Sequence, residues 1–240
     1  MQNIGQAKLI GVTAHELLTH PNFSARVIAV VANAVYLRTG DDEIVWLAQS
    51  HLPMHPRAIL GAFDFSGFRV GAQYVAPLHI ADAPVWSPPE ISREQIAPRE
   101  IVRARIQVLE GFAKPSRTDL HDLIGLGEGL TPAGDDFVGG VLFARHWLHK
   151  IYSEANWDQR AVDELIEYAR VRTSAISFAI LRDHARGHSV APMHALINAL
   201  IAGKAPAEIA RVVQRIVAIG NTSGREMLAG VRAAIRAWAE

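Results

Sequence analysis

The segment Gly125-Leu126-Gly127-Glu128-Gly129-Leu130-Thr131-Pro132-Ala133-Gly134-Asp135-Asp136-Phe137-Val138-Gly139-Gly140 sets the fold of the second half of this chain. Its three alternate glycines make a loop. Thr131 offers an N-cap hydroxyl, Pro132 suits the first helical position, and Asp135 and Asp136 bring two acids into the first turn. The segment reads as a loop feeding a helix over 132–149. Around it the apolar residues recur with a period of about 3.6, beginning with Ile101, Ile106, Val108 and Leu109. Helices are expected over 99–112, 132–149, 158–186, 192–202, 206–218 and 223–239.

Upstream the period is two. The runs Arg26 to Leu37 and Glu43 to Leu47 carry Val, Ile, Tyr and Trp on either side of Thr39-Gly40-Asp41-Asp42, which is a hairpin signal. Shorter runs, Ala58 to Leu60, Phe68 to Val70 and Gln73 to Val75, lie between Gly and Pro and suit strands of a small barrel or sandwich. Ala14 to Leu18 is expected to be helical. The stretch Ala83 to Arg99 holds Pro84, Pro88, Pro89 and Pro98, a composition that favours extended chain, and the domain boundary is placed there. The fold class is α+β: a β-rich, barrel- or sandwich-like domain over 1–95, then a mainly α-helical domain over 96–240 that carries the glycine-rich motif.

At 240 residues the chain can bury a genuine core. Lys plus Arg equals Asp plus Glu at 24 each, so no net field draws it to nucleic acid or an anionic membrane. The absence of cysteine excludes disulfides, thiolate metal sites and cysteine nucleophiles. Residues 1–10 lack a basic cluster followed by an apolar core, and no apolar run reaches the roughly 18 residues of a membrane span. A cytoplasmic protein is expected.

A helix start presents free backbone N–H groups and the positive end of the peptide dipoles, and glycines let a ligand approach the backbone. Gly127, Gly129, Leu130, Thr131 and Gly134 are therefore candidate binding residues. Asp135 and Asp136 complicate an anion site, because first-turn carboxylates already satisfy the dipole and repel phosphate unless a cation or a proton intervenes. They could hold Mg²⁺, orient a substrate amide or accept hydrogen bonds from the loop. The plainer reading is a capped helix in which Gly139 and Gly140 permit close packing. Capping leaves Gly125, Gly127, Gly129 and Gly134 unexplained, since each needless glycine costs up to about 1 kcal/mol of chain entropy.

A second segment, Gly220-Asn221-Thr222-Ser223-Gly224-Arg225-Glu226-Met227-Leu228-Ala229-Gly230, repeats the pattern if Ala133 is skipped. Thr131 then pairs with Thr222, Gly134 with Gly224, Asp136 with Glu226, Phe137-Val138 with Met227-Leu228, and Gly140 with Gly230. Both helices begin with a hydroxyl cap and share a small-residue face, so side-by-side packing with converging starts is expected. Asn221, Thr222, Ser223, Gly224 and Glu226 join the candidate set. A third segment, Arg172-Thr173-Ser174-Ala175-Ile176-Ser177, puts hydroxyls inside an apolar helical pattern. Thr173 and Ser177 either back-bond to a preceding carbonyl, the usual outcome, or face a site.

The 11 histidines form no His-Glu-x-x-His, and His146 with His149 suits a helix C-terminus better than zinc. His121, just upstream of the loop, is a further candidate. The Gly-x-Ser-x-Gly and Gly-x-x-x-x-Gly-Lys-Ser/Thr motifs are absent, which weakens hydrolase and nucleotide-triphosphatase readings.

At these residues the sequence resembles a bacterial family that includes the AllH subunit of oxamate carbamoyltransferase. The matching text is Gly-Leu-Gly-x-Gly-Leu-Thr-Pro-x-Gly-Asp-Asp at Gly125 to Asp136, Thr173-Ser-x-Ile-Ser177, and Gly220-x-Thr-Ser-Gly with Leu228-Ala-Gly230. Relatives have Ser-Gly-x-Asp where this chain has Glu226. The resemblance implies a subunit of a multi-protein carbamoyltransferase that interconverts oxalurate plus phosphate with oxamate plus carbamoyl phosphate in anaerobic purine-nitrogen catabolism. It implies a ureido acid, phosphate or carbamoyl phosphate as ligands and other subunits as partners. Asp135, Asp136 and Glu226 are then the candidate catalytic groups. Two further readings stay open: a non-catalytic subunit that binds a small anion or supports assembly, and a Mg²⁺-dependent phosphate-transfer enzyme built on the paired acids.

Overall fold

The computed structural model describes residues 5–21, 23–74, 80, 82–91, 95–113, 119–152 and 154–239. The chain divides into two compact units, Met1–Pro88 and Pro89–Glu240. The first is a curled seven-stranded mixed sheet, a half-barrel, and the second is helical.

In the first unit the strands are β1 (Gly5–Gly11), β2 (Ala25–Val31), β3 (Ala34–Thr39), β4 (Ile44–Gln49), β5 (Ala58–Phe63), β6 (Gln73–Tyr74) and β7 (Val85–Trp86), with a short helix, α1 (Val12–Leu18), after β1. Their order is β6-β2-β3-β4-β5-β1-β7. The β4–β5 and β1–β7 pairs are parallel and the rest antiparallel. Alternate β3 residues Val35 and Leu37 join Val45, Leu47, Ile59 and Ile10 in the core, each essentially inaccessible. The buried Arg57 guanidinium is held by Glu43 at 2.7 Å and by the Ile44 carbonyl at 3.1 Å.

The structure departs from the sequence pattern in four strands. The run Arg26 to Leu37 is two strands, because Ala32-Asn33 turns the chain and Val31 pairs with Ala34. Phe68 to Val70 is no strand: Phe68 stacks on Tyr74 at 5.9 Å to fill the core, while Val70 is exposed. β7 lies within the proline-rich stretch, where an edge strand tolerates flanking prolines. β1, next to the edge, carries no clear alternation. Val75, expected to end a strand, lies outside the described residues.

The helical unit comprises α2 (Arg99–Arg105), a 3-10 continuation (Ile106–Phe112), α3 (Leu120–Leu123), α4 (Ala133–Ile151), α5 (Gln159–Arg170), α6 (Ala175–Ala185), α7 (Ala191–Ile201), α8 (Pro206–Val217) and α9 (Ser223–Ala239). α4 is buried along most of its length, and α9 packs on it most extensively. Phe143, Leu148, Met193, Leu196, Leu228 and Ile235 meet in the main core. The single helix expected over 158–186 is broken between Arg170 and Ala175, where Ser174 caps α6 by accepting the Ser177 N–H at 3.0 Å.

α4 and α9 touch reciprocally. A β-carbon at Gly140 would run into the Met227 carbonyl, and one at Gly230 would run into the Phe137 carbonyl. The second glycine of each pair sits likewise: Gly134 against the Leu123 carbonyl that closes α3, Gly224 against the Ile216 carbonyl near the end of α8. The two segments that align in sequence are thus two copies of one helix–loop–helix arrangement. Glycine at these four positions is required by backbone approach.

Candidate functional site

The loop from Ile124 to Pro132 leaves α3 and enters α4. Gly125 has φ +77, a conformation costly for any other residue, and a β-carbon there would meet the Arg172 carbonyl. Gly127 and Gly129 also have positive φ, and around Gly129 there is open space. Pro132 takes the cap position without a side-chain cap bond, so Thr131 is not the expected N-cap. Its hydroxyl instead lies 3.2 Å from Ser223 Oγ, at the first residue of α9. That contact joins the two helix starts.

The N–H groups of Gly127, Glu128, Gly129, Leu130, Thr131, Ala133 and Asp135 donate to no acceptor among the described residues. The Gly134 N–H is used by the Leu126 carbonyl at 2.9 Å. The exposed turn thus carries a run of unused donors beside the positive end of a 19-residue helix.

Beneath this turn the adjacent acids face different neighbours. Asp135, 2 % exposed, accepts the Gly125 N–H at Oδ1 (2.7 Å) and the hydroxyls of Ser177 (2.6 Å) and Thr173 at Oδ2. Ser174 donates to the Leu130 carbonyl at 2.7 Å, so the α5–α6 link also holds the far side of the loop. The usual back-bonding expected for these hydroxyls does not occur. The break before α6 turns Thr173 and Ser177 onto Asp135, where they position a carboxylate.

Asp136, 5 % exposed, has one carboxyl oxygen, Oδ2, buried with no partner among the described residues. Burial pushes its carboxyl up to about 7; the carboxylates of Asp135 and Glu226 add to the rise, and the hydroxyls of Ser223 and Thr131 oppose it. Near neutral pH the group is divided between acid and carboxylate. In its neutral form Asp136 does not repel a bound anion. Asp135 has both oxygens engaged by donors, and no cluster of three metal-capable side chains occurs among the described residues.

Of the other candidates, Asn221 and Thr222 are exposed in the turn before α9, Gly224 is consumed by helix packing, and Glu226 is partly buried close to Asp136. His121 is drawn elsewhere, 3.0 Å from Asp119 and edge-on to Tyr168. The sequence reading missed a buried set behind α4. His184 Nε2 lies 2.9 Å from Ser189 Oγ, and the Ser189 N–H donates to His194 Nε2 at 3.0 Å. Burial pulls both imidazoles down to about 4, and the β-face of Gly139 rests against the His184 ring. These histidines are neutral supports. No spacing in the sequence distinguishes them from the other nine.

Residues 123–235 match the model of the family described as oxamate carbamoyltransferase subunit AllH, and the match places this part of the chain in that family. It covers both helix starts and the α5–α6 link. No solved structure matches the chain. No helix among the described residues is long and apolar enough to cross a membrane.

Proposed function

We propose that this AllH-family chain is a subunit of an oxamate carbamoyltransferase-like complex and that the joined starts of α4 and α9 carry part of its reaction centre. The observation behind the proposal is the buried Asp136 carboxyl, one oxygen unpartnered, under a turn of unused N–H donors. Other subunits supply what this chain lacks. The family match supports the subunit reading.

The reaction makes one bond, breaks one and moves two protons. Hydrogen phosphate attacks the ureido carbonyl carbon of oxalurate, a C–O bond forms, and the C–N bond to oxamate breaks with its electron pair going to nitrogen. That nitrogen must gain a proton, and the phosphate must lose one. A carboxyl that titrates near 7 can give the first and then take the second, so no net proton is left on the protein. The N–H groups of residues 128–131 and the hydroxyls of Thr131 and Ser223 suit the phosphate or the developing oxyanion. Asp135 fixes the turn through Gly125 and positions these donors.

The test is a complex reconstituted with its partner subunits, assayed for carbamoyl phosphate made from oxalurate and phosphate. Asp136→Asn lowers the rate by at least about 100-fold, the usual worth of a proton-transfer group, while size-exclusion chromatography shows intact assembly. An assembled Asp136→Asn complex with undiminished rate defeats the proposal and leaves a supporting, anion-binding role.

A further inference from the structure

Past the helix starts, the face of α4 that continues from Phe137 lines a cavity of about 650 Å³. Phe137, Val141, Arg145 and Leu148 line it at spacings of four, four and three, which is one helix face. Opposite them α9 offers Ala233, Ala234 and Ala237 before Trp238, and these small side chains leave the space unfilled. The cavity begins beside the first turn of α4 at Phe137, but its Arg145 end lies some nine residues, about 13 Å, along the helix from Asp136.

Arg145 is half-buried on this apolar wall, yet it has no hydrogen-bond acceptor, ion-pair partner or stacked ring among the described residues. Its neighbours in the same unit are engaged. Arg232 pairs with Glu110 at 2.6 Å, and Arg99 lies over the Trp238 ring at 5.2 Å and donates to the Trp238 carbonyl. Glu154 also lines the cavity, but it is exposed and forms no ion pair with Arg145. No Arg145 nitrogen is both buried and unpartnered, so the guanidinium keeps access to water beside the apolar wall, and a carboxylate entering the cavity can take two parallel N–H···O bonds from it. The volume falls within the roughly 300–1,000 Å³ of small-molecule sites, and an acid as small as oxamate leaves most of it empty.

We propose that this cavity binds an organic monocarboxylate with an aromatic or branched aliphatic body, the carboxylate on Arg145 and the body against Phe137, Val141 and the α9 alanines. The matched probes are 4-phenylbutyrate and its neutral amide, titrated calorimetrically into the full chain. The acid binds saturably, one to one, and about tenfold more tightly than the amide, the difference of one charge-assisted contact. Arg145→Gln abolishes the difference. Ala237→Phe, at an exposed position on the rim, fills the space and removes binding of both while the melting temperature is kept. The proposal is overturned if the folded wild-type chain shows no saturable binding of the acid up to about 10 mM, a weak limit for any specific site. It is equally overturned if acid and amide bind alike, or if the preference survives Arg145→Gln or the binding survives Ala237→Phe. Protection of Arg145 by an assembled partner subunit, with no acid bound, also overturns it by giving the face to a protein contact.

Discussion

The two flanks of the first turn of α4 carry the same residue type at nearly the same burial and treat it in opposite ways. On the flank toward α6, Asp135 meets three donors: the Gly125 N–H, Thr173 and Ser177. On the flank toward α9, Asp136 has two weak hydroxyl neighbours, a second carboxylate nearby and one oxygen with no partner. The pattern continues one turn later, where Gly139 lets α6 approach and Gly140 lets α9 approach. Burial alone therefore does not decide what an acid does. The supply of donors does, and it makes Asp135 a structural anchor and Asp136 a destabilised group held ready for use.

The strongest way to break this comparison is Asp135→Ala. The substitution leaves a buried N–H and two hydroxyls without their acceptor, and we expect a loss of about 5 kcal/mol in urea-induced unfolding, near the upper end for a disrupted buried polar network. A loss under about 1 kcal/mol, the level of a surface substitution, means that the donors have other partners and that Asp135 is no anchor.

The next test reads the opposite flank through pH. Asp136 titrates near 7 when folded, above its ordinary 3.8, so the folded state keeps a proton that the unfolded chain has lost. Stability from this group is fully present below about pH 4, declines as pH rises and is gone above about 7, a total of about 4 kcal/mol. Asp136→Asn removes that decline. Unfolding measured between pH 4 and 8 should show the variant gaining on the wild type by up to this amount, although it is expected to lose activity. Parallel pH profiles would show that Asp136 is an ordinary ionised carboxylate.

The paired helix starts were legible in the sequence, but the different roles of the two acids were not. The match between residues 129–140 and 220–230 pointed to two related helix starts that share a small-residue face. The partners of Asp135 were not legible. Thr173 and Ser177 reach it because the chain breaks between Arg170 and Ala175, and no glycine or proline interrupts the apolar period there to reveal the break. A serine cap inside a helical pattern looks like a helix-interior serine until the tertiary contact with Leu130 is known. The same limit explains the first unit: Asn33 turns β2 into β3 inside an apolar run, and β7 exists only because β1 offers it an edge. Local pattern fixes elements, and pairing with distant residues decides where they stop.

The glycines separate the two kinds of constraint most finely, and the smallest expected effect is therefore the most discriminating. Gly134 and Gly129 lie five residues apart at the same helix start, but a methyl at Gly134 meets the Leu123 carbonyl whereas one at Gly129 meets nothing. Gly129→Ala is opposed only by its φ of +96, and should cost about 1 kcal/mol of stability. If the turn serves only to start α4, that is the whole effect. If its N–H groups hold phosphate, the shifted backbone also weakens the grip. The Gly129→Ala complex should then need several-fold more phosphate for half-maximal rate at a temperature where it remains fully folded. An unchanged phosphate requirement would confine the turn to a structural role and leave Asp136 without an anion to serve.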